Sequence, residues 1–364
     1  MLQFKSPELS DRAAVNEAVG AASYAGSDAS FGNIYLLRKK YGTEIAFENG
    51  ALFRYYNGKG SRRGYTFPLS GVLQVSEVSH DDYAGGGSNA SENTHFSEEK
   101  FCQIADQLLL IEQHAAENNR PLEFCLVTEE QLKILLQYFG NRAVVEENRG
   151  DSDYIYSAES LATLEGKDYR KKRNHLSRFN RTYSDYELRP ITAENSAEAL
   201  DVEKLWLIES GTIEPATVPC VDSAQSVPAN ENAVDECSDA ATAECCEDRK
   251  SRCAEFDAIA EALYRMDTLG FKGAILYVNG NPAGMTMATE ICSGVWDIHF
   301  EKVIGEYAEN GGYTAINKLF AESLGGVGLI NREEDINIEG LRKAKLSYYP
   351  LVILHKYHVT IKSL

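Results

Sequence analysis

The sequence predicts an α+β fold, with two mixed, mostly antiparallel sheets flanked by helices. Short apolar runs broken by Asn-Gly pairs fill the first third of the chain. A second set of strand-like runs lies between residues 272 and 303 and is followed by a helical repeat. Amphipathic helical spacing separates the two sets, the pattern of helices packed on sheets rather than of a parallel βαβ array. With 364 residues, 43% hydrophobic and 25% charged, the chain is long enough for two domains, expected at 1–150 and 151–364.

In the first unit, Thr43–Glu48, Ala51–Tyr56 and Arg63–Leu69 read as strands joined at Asn49-Gly50 and Asn57-Gly58, which are hairpin-turn pairs. His80–Asn93 is polar, contains Gly85-Gly86-Gly87 and reads as a loop. Glu98–Glu117 has helical spacing at Phe101, Ile104, Leu108 and Ile111; Pro121–Val127 follows as a strand and Glu129–Phe139 as a helix.

In the second unit, Tyr154-Ile155-Tyr156 is a strand leading to a helix at Ala158–Leu164 and to a basic helix after it. Helices are expected at Ala193–Ser210 and Phe256–Leu269, and strands at Lys272–Val278, Ala283–Ile291 and Val295–Val303, with a turn at Gly280-Asn281. A helix at Tyr313–Leu324 and a last strand around Leu351–His358 complete the unit. This order of helices, antiparallel strands and a crossover helix resembles the acyltransferase fold of the GNAT type, and the first unit resembles a degenerate second copy. That makes the expected architecture a tandem GNAT-like one, although no residue-level repeat links the halves.

Thr212–Glu255 breaks the pattern with ten acids, three bases, three prolines and five of the eight cysteines: Cys220, Cys237, Cys245, Cys246 and Cys253. Thiolates suit zinc, but there is no CxxC pair and no His in the segment. The segment is expected to be a flexible acidic insertion at 212–255 without metal. No apolar run approaches the ~18 residues of a membrane span, and the first residues lack a signal-peptide pattern, so the expectation is a cytoplasmic protein with reduced cysteines.

A net charge of −19 argues against DNA binding, which needs clustered bases. One local exception exists: Lys167–Arg181 holds seven Lys/Arg against the single acid Asp168. On a helix, Tyr169, Leu176 and Phe179 would share one stripe, with Arg170, Lys171, Asn174, Arg178 and Arg181 on the other side. This basic face would either dock on acidic neighbours or bind the phosphates of a tRNA acceptor end, a coenzyme A or a nucleotide.

Several long motifs are similar to the family named for the C-terminal domain of phosphatidylglycerol lysyltransferase. They are Asp153–Tyr156; Leu164–Lys167 with Lys171–His175 and Phe179; Ile298–Lys302; Asn331–Asp335; and Gly340–Tyr348. The resemblance implies a tandem GNAT-like fold related to Fem-type aminoacyltransferases. It also implies acyl or aminoacyl transfer from aminoacyl-tRNA or an acyl thioester such as acyl-CoA to an amine or hydroxyl. Its membrane-anchored namesakes transfer lysine to a lipid; this chain differs in having no apolar span and in its Cys-rich insertion.

Acyl transfer needs a base for the nucleophile's proton and donors for the oxyanion. In Gly294–Val303, Trp296, Ile298 and Phe300 alternate with Asp297, His299 and Glu301. Alternation puts those three polar residues on one face: Glu301 and His299 are candidate bases, and Asp297 would orient the imidazole. A structural polar face satisfied by Lys302, Arg332 or Arg342 is the other reading.

Gly311-Gly312 before a helix offers an anion site, although Glu309 and Asn310 stand where the GNAT pyrophosphate loop carries a cation. The donor site is thus expected from Arg170, Lys171, Lys172, Arg173, Asn174, Gly311 and Gly312. Asn331, Arg332, Glu333 and Asp335 with Arg342 and Lys345 would either bind substrate or form an ion-pair network. No Gly-x-Ser-x-Gly elbow occurs, and Cys292 has no neighbouring His, so no serine or cysteine nucleophile is expected. The alternative to a transferase is a non-catalytic GNAT-like module for a charged ligand or a protein partner.

Overall fold

The computed structural model describes residues 1–73, 97–212 and 240–363. The loop expected at His80–Asn93 and most of the acidic insertion, with Cys220 and Cys237, lie outside them. After helices α1 (Arg12–Ala22), α2 (Phe31–Leu36) and α3 (Arg38–Tyr41), the first unit runs β1 (Thr43–Glu48), β2 (Ala51–Asn57), β3 (Arg63–Tyr65), α4 (Glu98–Glu117), β4 (Glu123–Val127), α5 (Glu129–Phe139) and β5 (Ala143–Glu147). Then come β6 (Asp153–Ser157), α6 (Ala158–Thr163), α7 (Arg170–Thr182), β7 (Tyr186–Pro190), α8 (Ser196–Glu209), α9 (Ala240–Tyr264) and α10 (Met266–Leu269).

The second set of strands is β8 (Lys272–Val278), β9 (Asn281–Cys292) and β10 (Val295–Val303). It is followed by α11 (Gly305–Glu309), α12 (Gly312–Leu324), β11 (Leu329–Asn331), α13 (Glu339–Leu346), β12 (Val352–Leu354) and β13 (Tyr357–Ile361). Two turns have the left-handed pair that a tight hairpin needs: Asn49-Gly50, with φ of 49° and 75°, and Asn279-Gly280, with 50° and 76°. The second turn lies one residue earlier than its sequence signal. Ser97 caps α4, and Thr128 with Gln131 forms a capping box on α5.

Two sheets result, ordered β1-β2-β3-β4-β13-β5 and β7-β8-β9-β10-β11-β6-β12. Each contains an antiparallel three-strand meander, a crossover helix (α4 or α12), a strand parallel to the meander's last strand, then a helix and an edge strand. This is the tandem α+β architecture the element order implies. Within the second sheet β6 lies between β11 and β12, whereas β13 crosses from the second unit to insert between β4 and β5 of the first sheet. The expected last strand is therefore two strands in two sheets, and Tyr357–Ile361 belongs with the first unit rather than with 151–364. Helix α9 begins at Ala240, so the last part of the segment 212–255 is helical.

One apolar cluster fills the first unit and continues onto one face of the second sheet through Phe271, Met287 and Phe300. The other face of that sheet packs against α6, α7 and α12 through two further clusters. A buried polar seam crosses between the units: Asp28 pairs with Arg54 (2.9 Å) and with Lys356, and Lys356 also lies 3.7 Å from Asp153. Asp153 accepts hydrogen bonds from the Ser27 N–H (2.9 Å) and hydroxyl (2.8 Å). A buried charge needs such partners, because stranding one costs about 3–5 kcal/mol.

Candidate functional site

Strand β10 does not keep its alternation. Ile298 stands opposite Ala288 of β9 and Phe300 opposite Met287, so His299 is the extra residue of a β-bulge. Parity reverses there. Trp296 and Ile298 pack with Tyr156 and Phe320 on the α12 side, whereas Phe300 joins Phe271 on the opposite face. Glu301 therefore turns toward α12, away from His299 and Asp297. The single polar face expected for Asp297, His299 and Glu301 is in fact split between the two sides of the sheet.

On the α12 side, β10 and its parallel neighbour β11 pair only at Val295, Trp296 and Asp297, and the chain leaves the sheet at Arg332. In the gap, Glu301 Oε1 lies 2.8 Å from Arg332 Nη2, and Asn317 of α12 donates to Oε2 at 3.2 Å. The Arg332 guanidinium lies 4.9 Å from the Tyr348 ring centre. Lys172 of α7 reaches the same ring, with its ammonium 3.5 Å from the centroid. Among the described residues Lys172 has no hydrogen bond or ion pair, and Arg332 Nη1 is buried without a partner. Burial, followed by the positive charge of Arg332, pushes the Lys172 amine down to about 8, against the opposing pull of Glu301. The gap thus holds an amine whose hold on its proton is weakened, beside a fixed guanidinium with a spare N–H.

The rest of the basic helix divides. Arg170, Lys171 and Asn174 face solvent, whereas Arg173 donates to the carbonyls of Leu164 and Gly166 and secures the turn before α7. The glycine pair serves packing. Gly311 has φ +101°, its N–H is bonded to the Ala308 carbonyl, and a Cβ there would lie 2.5 Å from the His175 carbonyl oxygen. A side chain at Gly311 would therefore run into α7, and one at Gly312 into the Tyr307 carbonyl oxygen at 2.7 Å.

On the opposite face, Asp297 and His299 are enclosed by α2 rather than facing a cleft. His299 Nδ1 is 3.5 Å from Asp297 Oδ2 and 3.5 Å from Glu333 Oε1, and Nε2 is 2.7 Å from the Thr289 hydroxyl. Asn33 of α2 donates to Glu333 Oε1 (2.8 Å) and Asp297 Oδ2 (3.3 Å), and its Oδ1 is 3.2 Å from His299 Nδ1. Burial, and next the charge of Glu333, raises the Asp297 carboxyl well above the usual carboxylate range. Gly32 lets α2 approach so closely that a Cβ would meet the imidazole at 2.9 Å.

The residues expected at a substrate site after β11 are engaged with the chain itself. Asp335 accepts two bonds from Arg342 (2.7 and 2.9 Å) and one from the Tyr154 hydroxyl, and Lys345 donates to the carbonyls of Arg332 and Glu333. Asn331 is buried against the Ala25 carbonyl and Asp153. Asp335 and Arg342 thus form an ion pair and Asn331 and Lys345 hydrogen-bond to the chain itself, while Arg332 alone of the group turns into the gap. The turn they hold is strained, with Glu333, Ile336 and Asn337 at φ of 59°, 44° and 62°. Asn33, Thr289 and Asn317 were missed by sequence reasoning; nothing local marks them, because their partners lie in distant elements.

The phosphatidylglycerol lysyltransferase C-terminal family matches residues 101–360. No curated protein matches the chain. Among solved structures, a conserved protein of unknown function from Bacteroides thetaiotaomicron is 28% identical, with a TM-score of 0.75 and full coverage of both chains. The C-terminal domain of a putative lysylphosphatidylglycerol synthetase from Agrobacterium fabrum is similar in fold at 12% identity and TM-score 0.57, with 98% of this chain and 93% of that one covered. L-PGS from Bacillus licheniformis is likewise similar at 12% identity and TM-score 0.55, covering 99% and 94%. Among the described residues no helix is long and apolar enough to cross a membrane. Because the match takes in most of the chain, this protein belongs to the phosphatidylglycerol lysyltransferase C-terminal family.

Proposed function

We propose that the chain transfers an aminoacyl group from aminoacyl-tRNA to an amine or hydroxyl acceptor in the gap between β10 and β11. The carrying observation is the unpaired Lys172 amine beside the Glu301–Arg332 pair where the two parallel strands part. In this reading Lys172, rather than His299, takes the proton of the attacking acceptor. Arg332, held by Glu301, offers its free Nη1–H to the oxyanion as the ester carbonyl becomes tetrahedral. Collapse of that intermediate breaks the ester bond, and the leaving ribose oxygen is protonated by the Lys172 ammonium.

Arg170, Lys171 and Asn174 lie outward on the same helix and would meet the tRNA backbone. A cytoplasmic setting goes with that donor. The packing of His175 against Gly311 weighs against a coenzyme A pyrophosphate at the start of α12. The other reading, a non-catalytic module, draws on the fact that Glu301 and Arg332 already satisfy each other. Filter binding of bulk aminoacyl-tRNA and of acetyl-CoA to wild type and to Arg170→Gln/Lys171→Gln separates them. Preferential tRNA binding, weakened at least tenfold in the variant and less dependent on salt, supports transfer from tRNA. Preferential acetyl-CoA binding, or binding of neither, overturns it.

A further inference from the structure

The geometry points to a divalent-cation site formed by Asp297, His299 and Glu333, on the face of the second sheet away from Lys172. Candidate ligand atoms of the three residues lie within 4.8 Å of one another. His299 Nδ1 is 3.5 Å from an oxygen of each acid. Two ligands at about 2.0–2.2 Å from one ion, with a near-tetrahedral angle between them, stand about 3.4 Å apart. One imidazole with two carboxylates suits a borderline or hard divalent ion such as Mn²⁺.

A separate observation makes this more than an acidic cluster. Asp297 is fully buried, and its Oδ1 has no hydrogen-bond partner. Among the described residues neither Asp297 nor Glu333 has a Lys or Arg ion partner; Lys345, the adjacent cation, spends its ammonium on the backbone carbonyls of Arg332 and Glu333. Apart from His299, the two acids have neutral partners, the Asn33 amide and, for Asp297, the Ser30 hydroxyl, so a cation between them would offset their mutual repulsion.

The surroundings match those of a metal ligand set. The Thr289 hydroxyl fixes the other imidazole nitrogen, the kind of outer partner that orients a ligating His. Glu333 keeps 24% of its side chain exposed and gives the ion a way in. Rotation of the Asn33 amide would turn its Oδ1 to the centre as a fourth ligand. The ion would tie α2 of the first unit to β10 and to the residue after Arg332, on the face of the sheet away from the transfer gap.

The test uses Mn²⁺ on the full chain freed of metal by chelation, because thiolates of the Cys-rich segment would compete for zinc. Calorimetry and the electron paramagnetic resonance of free Mn²⁺ should report one ion per chain, with a higher melting temperature. Glu333→Gln keeps the acceptor for Asn33 and lies at the rim, so it should fold, and it should bind about 10–100-fold more weakly. Asp297→Asn, with folding checked by circular dichroism, should lose binding. Absence of saturable binding to folded wild type overturns the site, as does a Glu333→Gln affinity within twofold of wild type.

Discussion

The two sheets follow one plan, yet they fill the same place with opposite chemistry. In the first, the parallel pair β3–β4 meets at Tyr65 opposite Phe124, their rings 6.4 Å apart, and the Tyr65 hydroxyl bonds to buried His114 at 2.8 Å. In the second, the matching pair β10–β11 parts after Asp297, and the opening holds Glu301, Arg332 and Lys172. The same topology thus carries apolar packing in the first sheet and charge in the second, where apolar side chains would be more stable.

The contrast breaks most sharply at Lys172. Lys172→Met should slow aminoacyl transfer about 10²–10⁴-fold, the usual contribution of a general base, while leaving the melting temperature unchanged or higher because a desolvated amine is removed. A parallel loss of stability would make Lys172 structural. Phe124→Ala in the first sheet should do the reverse, costing about 3–5 kcal/mol in urea unfolding with transfer per folded molecule retained. Arg332→Met strands Glu301 and should cost about 3 kcal/mol. Adding Glu301→Gln should recover part of that loss, and a purely additive double mutant would mean the two side chains do not couple.

A smaller effect depends on pH. Glu203 of α8 is fully buried, both its carboxylate oxygens lack partners, and Lys302 is 3.9 Å away. Burial raises its pKa to about 8 from an ordinary 4.5. The unfolded chain therefore ionises this group first, and its contribution to stability falls as pH rises from about 4.5 to 8, then levels. Glu203→Gln should nearly match wild type at pH 4.5 and exceed it by on the order of 4 kcal/mol at pH 8. Urea midpoints at the two pH values decide this; an equal difference at both would remove the proton from the explanation.

How much of this was legible in the sequence varies by element. The hairpin at Asn49-Gly50 and the helices Glu98–Glu117 and Glu129–Phe139 announce themselves through a turn pair and 3.6-residue spacing, and the turn read at Gly280-Asn281 is displaced by one residue to Asn279-Gly280. The crossing of β13 into the first sheet leaves no local mark, because strand order is decided by packing between residues far apart in sequence. The bulge at His299 is hidden for a related reason: the apolar–polar alternation through Phe300 is intact, and only the register against Met287 shows that an extra residue has been taken up. Lys172 was legible as one cation in a basic run, but not as the one aimed inward. Gly311 read as an anion site because proximity to α7 could not be seen.

Single-turnover transfer from labelled aminoacyl-tRNA to acceptors in a total cell extract, measured for wild type, Lys172→Met and His299→Gln between pH 6 and 9, tests the central claim most directly. The account predicts a wild-type rate rising through about pH 8, a loss of at least 100-fold in Lys172→Met, and a His299→Gln rate within a few-fold of wild type with the same pH profile. Activity that survives Lys172→Met but disappears in folded His299→Gln would contradict it, moving the chemistry to the other face of the sheet.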